Sequence, residues 1–156
     1  MIYFNTNKEA FAVEIPNYIA CIDDDIWAQY AITDKWDIID GVFTDISDTP
    51  EYKEEQARKE RERIDALTLT PSDVERALYY GLGMDFDDLK ALIAEQAPTI
   101  DLKGLAIEFR ANNFYRGATD INGNRIVDMI GLLLGYNSDD MDYLFENKTL
   151  PVKEST

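Results

Sequence analysis

Residues 49–73 read TPEYKEEQARKERERIDALTLTPSD, and the change of composition in this stretch decides the fold. Pro50 suits the first turn of a helix, and Glu, Lys, Arg, Gln and Ala dominate from there to about residue 67. Within residues 51–63 the only sizeable apolar side chain is Tyr52, so this helix can bury little surface. It is either a solvated connector or part of an oligomeric interface, and the absence of an a/d heptad stripe favours the connector.

The segment before this helix, residues 1–48, is predicted to be a small β-rich head. Runs rich in Tyr, Phe, Val and Ile at residues 1–5 and 10–15 flank a polar turn and predict one hairpin. A second hairpin is predicted over residues 35–46, because Asp40-Gly41 at its centre tolerates the positive φ angles of a type I′ turn.

The segment after the charged helix is predicted to form a helical domain of about five short helices. Apolar residues recur at helical spacing in five stripes, at residues 74–78, 86–93, 102–109, 126–134 and 141–145. Thr70-Pro71-Ser72-Asp73 offers a cap for the first helix, Asp85 for the second, and Asn137 or Ser138 opens the fifth. Gly117 is expected to end the third.

The fold class is therefore predicted to be α+β in four segments. These are an acidic β-rich head (1–48), a charged connector helix (49–68), a helical domain (69–150) and a disordered tail (151–156). The chain shows no internal repeat with a fixed period.

Composition favours a folded protein with a strongly negative surface. The chain has 156 residues, and its hydrophobic content of 46% is ample for a buried core. Acidic residues outnumber basic ones by 31 to 15 and give a net charge of −16, so direct binding to nucleic acid or to an anionic membrane is not expected. No apolar run approaches the roughly 20 residues of a membrane span, and the N-terminal segment does not resemble a secretory signal.

Several kinds of chemistry lack the residues they need. Histidine is absent and Cys21 is the only cysteine, which argues against serine or cysteine hydrolase chemistry and against zinc binding. The segment that starts at Asp120 resembles a calcium loop, but Arg125 and Gly131 stand where such a loop requires glycine and a bidentate carboxylate. No Gly-rich phosphate loop occurs. We predict no cofactor, no metal and no enzymatic activity, with a hydrolase that uses two carboxylates as the weaker alternative.

Acidic clusters are the first class of candidate partner-binding residues. A short helix is predicted over residues 23–30, and its start combines Asp23, Asp24 and Asp25 with Trp27. Two further clusters stand at predicted helix starts: Asp85, Asp87 and Asp88, and Asp139, Asp140 and Asp142. Aspartates at helix starts are explained by capping and by the helix dipole, but a rigid array of carboxylates can also imitate the phosphates of nucleic acid. Residues 1–48 hold 10 acidic and 2 basic residues, a balance of −8.

Aromatic residues are the second class. Tyr79-Tyr80 and Phe114-Tyr115-Arg116 are residue types enriched at the energetic centres of interfaces. Because neighbours on a helix point in different directions, one member of each aromatic pair is expected in the core. We predict that Tyr80, Tyr115 and Arg116 are exposed and available to a partner.

The order of these features resembles small proteins encoded in the tail-fibre gene region of phages and prophages. The resemblance rests on MIYFNTN at residues 1–7, DDIW at 24–27, WDIIDG at 36–41, LTLTP at 67–71, EFR at 108–110, FYRG at 114–117, LGY at 134–136 and MDYLF at 141–145. It implies a viral accessory protein that acts through protein contacts, in the host cytoplasm or the virion, without a cofactor. The runner-up is an inhibitor of a host defence system, such as an anti-CRISPR protein. The resemblance implies no site residues, and the oligomeric state stays open.

Overall fold

The computed structural model, which describes residues 1–99, 113–120 and 122–153, combines α-helices with small antiparallel sheets. This mixed composition of helices and sheets confirms the coarse fold prediction. The chain divides into two compact units, unit 1 covering Met1–Lys59 and unit 2 covering Glu60–Thr156. The boundary between the units therefore falls inside the charged helix, which spans Pro50–Asp65.

Unit 1 begins with a three-stranded antiparallel sheet. Its strands are β1 (Ile2–Phe4), β2 (Ala10–Phe11) and β3 (Ala20–Ile22), with β1 in the centre. The predicted hairpin forms, but β2 is shorter than predicted and ends at Phe11: the register pairs Tyr3 with Phe11 and Phe4 with Ala10. β3, which was not predicted, pairs with the other edge of β1.

A helix and a second hairpin complete the regular structure of residues 1–49. They are α1 (Asp24–Tyr30), β4 (Trp36–Ile39) and β5 (Val42–Asp45). The β4–β5 register places Ile39 opposite Val42, so Asp40 and Gly41 alone make the turn. Their φ angles are +51° and +77°, as a type I′ turn requires. The prediction of this hairpin and of its turn is confirmed.

An aromatic cluster, formed by Phe4, Trp27, Tyr30, Trp36 and Phe43, builds the core of unit 1. The Phe4 side chain is fully buried, and its ring centroid lies 5.2 Å from that of Trp27 and 5.3 Å from that of Trp36. The rings of Trp36 and Phe43 stack at 5.2 Å. These contacts join β1, α1 and the second hairpin, because each of those elements contributes a ring.

The remaining elements begin with the charged helix that crosses the unit boundary. They are α2 (Pro50–Asp65), β6 (Thr68–Leu69), α3 (Pro71–Leu82), α4 (Phe86–Gln96), β7 (Phe114–Tyr115), α5 (Ile126–Leu133) and α6 (Ser138–Asn147). Helices α3, α4 and α6 each start with a capping box, at Thr70, Asp85 and Asn137, which confirms the predicted starts. The helix predicted around residues 102–109 lies outside the described residues.

Phe114 and Tyr115 form a strand, so their predicted place at the end of a helix is wrong. β7 pairs with β6 in an antiparallel register that sets Thr68 opposite Tyr115 and Leu69 opposite Phe114. Successive side chains of a strand point to opposite faces. Phe114 accordingly packs against the core, while Tyr115 is 57% exposed.

Two apolar clusters form the core of unit 2. One includes Leu69, Met141 and Phe145, and the other is centred on Leu78, Leu89 and Ile93. Val74, Phe114 and Leu134 pack against both clusters, which makes the core continuous. Helices α5 and α6 approach closely, since a Cβ atom at Gly131 would lie 2.8 Å from Met141 Cγ.

Candidate functional site

The acidic cluster, defined as Asp23, Asp24 and Asp25, lies exposed at the start of α1. Asp23 occupies the N-cap position, but its side chain makes no capping hydrogen bond. Asp24 pairs with the amino group of Met1 at 2.9 Å. Ile26, which follows the cluster in sequence, is 42% exposed, so the cluster lies beside accessible apolar surface.

The helix that carries the acidic cluster is anchored from its inner side. Trp27 is half-buried, and its ring centroid lies 5.2 Å from that of Phe4 and 5.3 Å from that of Trp36. Tyr30 contacts Phe43 at 5.2 Å and donates a hydrogen bond of 2.7 Å to Asp45. Trp27 thus belongs to the aromatic cluster and fixes the inner side of the helix that carries the three aspartates.

Helix capping accounts for the other acidic clusters but not for this one. Asp85 and Asp88 form a reciprocal capping box at the start of α4. Asp140 forms another with Asn137 at the start of α6, while Asp139 stays exposed in the first turn. In those clusters at least one carboxylate is engaged by backbone N–H groups. The acidic cluster differs from them, because the Asp23 side chain at its N-cap position makes no capping hydrogen bond.

The tyrosines among the aromatic candidates are all exposed, including one that was expected in the core. Tyr80 is 80% exposed and Tyr115 is 57% exposed, as predicted. Tyr79 is 64% exposed, and its ring meets that of Tyr80 edge to face at 5.4 Å. The expectation that one member of this pair lies in the core is wrong. Both residues lie in the last turn of α3, and their side chains are exposed to solvent.

Arg116 is completely buried, so the prediction of an exposed Arg116 is wrong. It follows β7, and its backbone N–H donates to Leu67 O at 3.0 Å. Its Nε donates to Asp142 at 2.7 Å and its Nη2 donates to Asp128 at 2.7 Å and to Ser138 Oγ at 2.9 Å. The guanidinium is held inside unit 2 because carboxylates offset the cost of burying its charge.

These contacts belong to a closed charge ring of three arginines and three aspartates. Its members are Arg61, Asp65, Arg116, Arg125, Asp128 and Asp142, all in unit 2. Each aspartate bridges two arginines: Asp142 joins Arg116 to Arg61, Asp65 joins Arg61 to Arg125, and Asp128 joins Arg125 to Arg116. The six formal charges cancel, so the ring ties α2, β7, α5 and α6 together without adding net charge.

The ring lowers the pKa values of Asp65 and Asp142. Hydrogen bonds from Arg125 and Arg61 outweigh desolvation and hold the pKa of Asp65 at about 2. Burial raises the pKa of Asp142, but a hydrogen bond from Arg61 and the charge of Arg116 more than compensate, so the value lies below its usual range. Both groups are therefore ionised at neutral pH.

Carboxyl groups elsewhere are shifted in the same direction. With Asp65 and Asp142 of the ring included, nine carboxyl groups among the described residues have pKa values below their usual range: Asp34, Asp37, Asp45, Glu55, Glu60, Asp65, Asp73, Asp120 and Asp142. A glycosidase needs one carboxyl group with a raised pKa to act as general acid. None of these nine is suited to that role.

The loop that resembles a calcium site is held by its own hydrogen bonds. The Asp120 carboxylate accepts from the backbone N–H groups of Asn122 at 2.8 Å and Asn124 at 2.9 Å. Within the described parts of the chain, no group of three or more Cys, Asp or Glu side chains is arranged to hold a metal ion. No helix in those parts is long and apolar enough to cross a bilayer.

A pocket in unit 2 is the feature that sequence reasoning missed altogether. It lies between the C-terminal part of α3 and the segment that follows α6, and its volume is about 490 Å³. Arg76 and Tyr80 on its wall share one face of α3 at the i,i+4 spacing, which is visible in the sequence. Lys148 and Lys153 come from about 70 residues further along, and no local pattern links them to α3.

Comparison with known proteins supplies no relative. No protein-family model, no curated protein and no solved structure matches the chain.

Proposed function

We propose that this chain is a non-enzymatic accessory protein that binds a basic protein surface through the acidic cluster of α1. The observation that carries the proposal is the state of Asp23: it is an exposed N-cap residue whose side chain makes no capping bond. Its neighbours Asp24 and Asp25 are also exposed. Trp27 anchors the helix from the other side, so the carboxylates are presented on a rigid support and lose little entropy on binding.

The finer architecture belongs to the same proposal. Residues 1–48 act as an acidic head, residues 49–68 as a connector helix, and residues 69–150 as a helical domain. Exposed ion pairs along α2, such as Glu55–Arg58 at 2.6 Å and Glu60–Arg63 at 2.7 Å, support a solvated connector. Near its start α2 is attached to the head, where Tyr52 donates to Asp34 at 2.8 Å.

The resemblance to phage and prophage tail-region proteins supplies the class of partner. We propose that the partner is a tail or tail-fibre component and that the chain binds it in the host cytoplasm or in the virion. With a net charge of −16, the chain would be steered toward basic surfaces, and association would slow as salt rises. The chain itself is proposed to bind neither nucleic acid nor membrane.

A pull-down from phage-infected or prophage-induced cells tests this function. The tagged chain is compared with Asp23→Asn/Asp24→Asn/Asp25→Asn, and we expect that triple variant to bind tail protein roughly 10-fold more weakly, equivalent to about 1.4 kcal/mol. The matched control is Glu54→Gln/Glu75→Gln/Glu95→Gln, which removes three exposed carboxylates elsewhere and should bind normally. Equal capture by both triple variants, or no capture of tail protein by the unmodified chain, contradicts the proposal.

A second function is favoured by the same rigid array of carboxylates. Such an array can occupy a nucleic-acid groove of a host defence enzyme and exclude its substrate, as an anti-CRISPR protein would. The test is competition: added protein should reduce guide-directed DNA binding at low salt, and the acidic-cluster variant should restore it. Unchanged DNA binding and cleavage across the effectors of the host would exclude this second function.

A further inference from the structure

The charged side chains that the structure describes around the pocket of unit 2 are all basic. Arg76, Lys148 and Lys153 are the charged side chains among its described lining residues, in a chain whose acidic residues outnumber basic ones by 31 to 15. Its volume of about 490 Å³ falls in the range that accommodates small ligands or a few peptide side chains. A local concentration of positive charge is therefore combined with a concave surface.

The three cations differ in how far they are already engaged. Lys148 pairs with Asp73 at 3.4 Å, so its charge is partly compensated. Lys153 donates to Gly135 O and lies 3.9 Å from the centre of the Tyr136 ring. An ammonium group has three N–H donors, so Lys153 keeps donor capacity for a ligand. Arg76 is exposed and makes no hydrogen bond or ion pair with the described residues.

Apart from Thr149, the other described residues of the pocket wall are apolar or aromatic. Leu82, Leu150, Pro151 and Val152 contribute aliphatic surface, and Val152 is 95% exposed. Tyr80 adds an aromatic face that is 80% exposed. Covering such exposed apolar side chains with another apolar group is favourable, because it removes apolar surface from water.

We propose that this pocket binds a short extended peptide segment that carries carboxylates beside aliphatic side chains. Arg76 and Lys153 bind the carboxylates, while Tyr80, Pro151 and Val152 cover the aliphatic groups. The ends of α3 and α6 border the pocket, and helix C-termini carry partial negative charge. That charge opposes the two charges concentrated on a phosphate dianion more than single charges spread along a peptide, which favours an acidic peptide as the ligand.

The test uses two labelled peptides and fluorescence anisotropy. The probe alternates Glu and Leu, and the comparison peptide alternates Gln and Leu. We expect the Glu peptide to bind at least about 10-fold more tightly than the Gln peptide, because charge-assisted hydrogen bonds are lost in the latter. Arg76→Gln and Lys153→Gln should each weaken binding of the Glu peptide by about 10-fold.

The control variant is Lys90→Gln, which removes a cation of α4 that pairs with Asp87 outside the pocket. It should bind the Glu peptide like the unmodified chain, and far-UV circular dichroism confirms that each variant is folded. Equal affinity for the two peptides, an equal loss in Lys90→Gln, or displacement of the Glu peptide by millimolar inorganic phosphate overturns the proposal.

This inference stands apart from the proposed function. The variant Asp23→Asn/Asp24→Asn/Asp25→Asn should keep its affinity for the Glu peptide, because those residues do not line the pocket. Loss of peptide binding in that variant would count against the pocket, whereas loss of tail-protein binding alone concerns only the acidic cluster.

Discussion

At the scale of single residues, Arg116 shows how unit 2 accommodates charge in its interior. Its side chain is fully buried, and its Nη1 is enclosed without a hydrogen-bond partner among the described residues. Removing one member of a buried ion pair is strongly destabilising, since the partner charge is left behind. If Arg116 is replaced, the loss of stability is moderated, because Asp142 still pairs with Arg61 and Asp128 still pairs with Arg125.

We predict that Arg116→Met destabilises unit 2 by about 3 kcal/mol, near the lower end expected for breaking a buried pair. Arg116→Lys should also be destabilising, because one ammonium cannot reproduce the planar fork that reaches both Asp128 and Asp142. Urea unfolding followed by far-UV circular dichroism measures both changes. Arg63→Gln is the comparison, since its pair with Glu60 is exposed and its removal should change little. Similar midpoints for Arg116→Met and Arg63→Gln would contradict a stabilising role for the ring.

At the scale of elements, the β4–β5 hairpin depends on a two-residue turn. Both Asp40 and Gly41 have positive φ angles, +51° and +77°, which ordinary side chains adopt only with strain. A Cβ atom at Gly41 would also lie 3.3 Å from Ile19 O. The turn is thus restricted both by its own backbone and by the chain that passes beside it.

Gly41→Ala should destabilise unit 1 by roughly 1–2 kcal/mol, the usual cost of placing a side chain in the left-handed region. Urea unfolding followed by tryptophan fluorescence reports this change, because Trp27 and Trp36 both belong to unit 1. Asp40→Asn is the matched control: Asn-Gly is a favoured type I′ pair, so stability should be retained. If Gly41→Ala unfolds at the same urea concentration as Asp40→Asn, the turn is not the restricted element described above.

At the scale of the whole molecule, negative charge is abundant on the surface and neutralised inside unit 2. The chain carries a net charge of −16, whereas the charge ring is formally neutral. Folding stabilises Asp65 and Asp142 of the ring as anions, because their pKa values are lowered only in the folded state. Their protonation in acid should therefore weaken the interior of unit 2, at a lower pH than that at which carboxylates with ordinary pKa values lose their charge.

We predict that unit 2 loses stability as the pH falls from about 4 to 2. The folded pKa of Asp65 is held at about 2, below its value of 3.8 in the unfolded chain, so its contribution is present above pH 4 and disappears as the carboxylate is protonated. The difference corresponds to roughly 2 kcal/mol at neutral pH. Far-UV circular dichroism during urea unfolding at several pH values measures this loss.

Asp65→Asn should reduce stability at pH 7 and flatten its dependence on acid. Glu75→Gln, at an exposed position on α3, should leave the dependence unchanged. An Asp65→Asn variant with the same acid sensitivity as the unmodified chain would show that this carboxylate does not govern the transition.

Local patterns determined much of the regular structure. The helix starts at Thr70, Asp85 and Asn137 and the turn at Asp40-Gly41 were predictable, because each depends on residues within three or four positions along the chain. The acidic cluster of α1 was also visible in the sequence. Whether its side chains were engaged in capping was not, since that depends on the backbone geometry at Asp23.

Only the tertiary structure decided which residues meet across the chain. Arg116 and Asp142 are 26 residues apart and Arg61 and Asp142 are 81 apart, and Phe114 becomes a strand residue only by pairing with Leu69. The basic pocket likewise joins α3 to the segment after α6. The sequence by itself determined the starts of α3, α4 and α6, the two hairpins and the excess of negative charge, because short-range capping, turn geometry and composition suffice for them. The buried arginine and the pocket required the packed fold, because burial and long-range charge pairing exist only when distant segments are brought together.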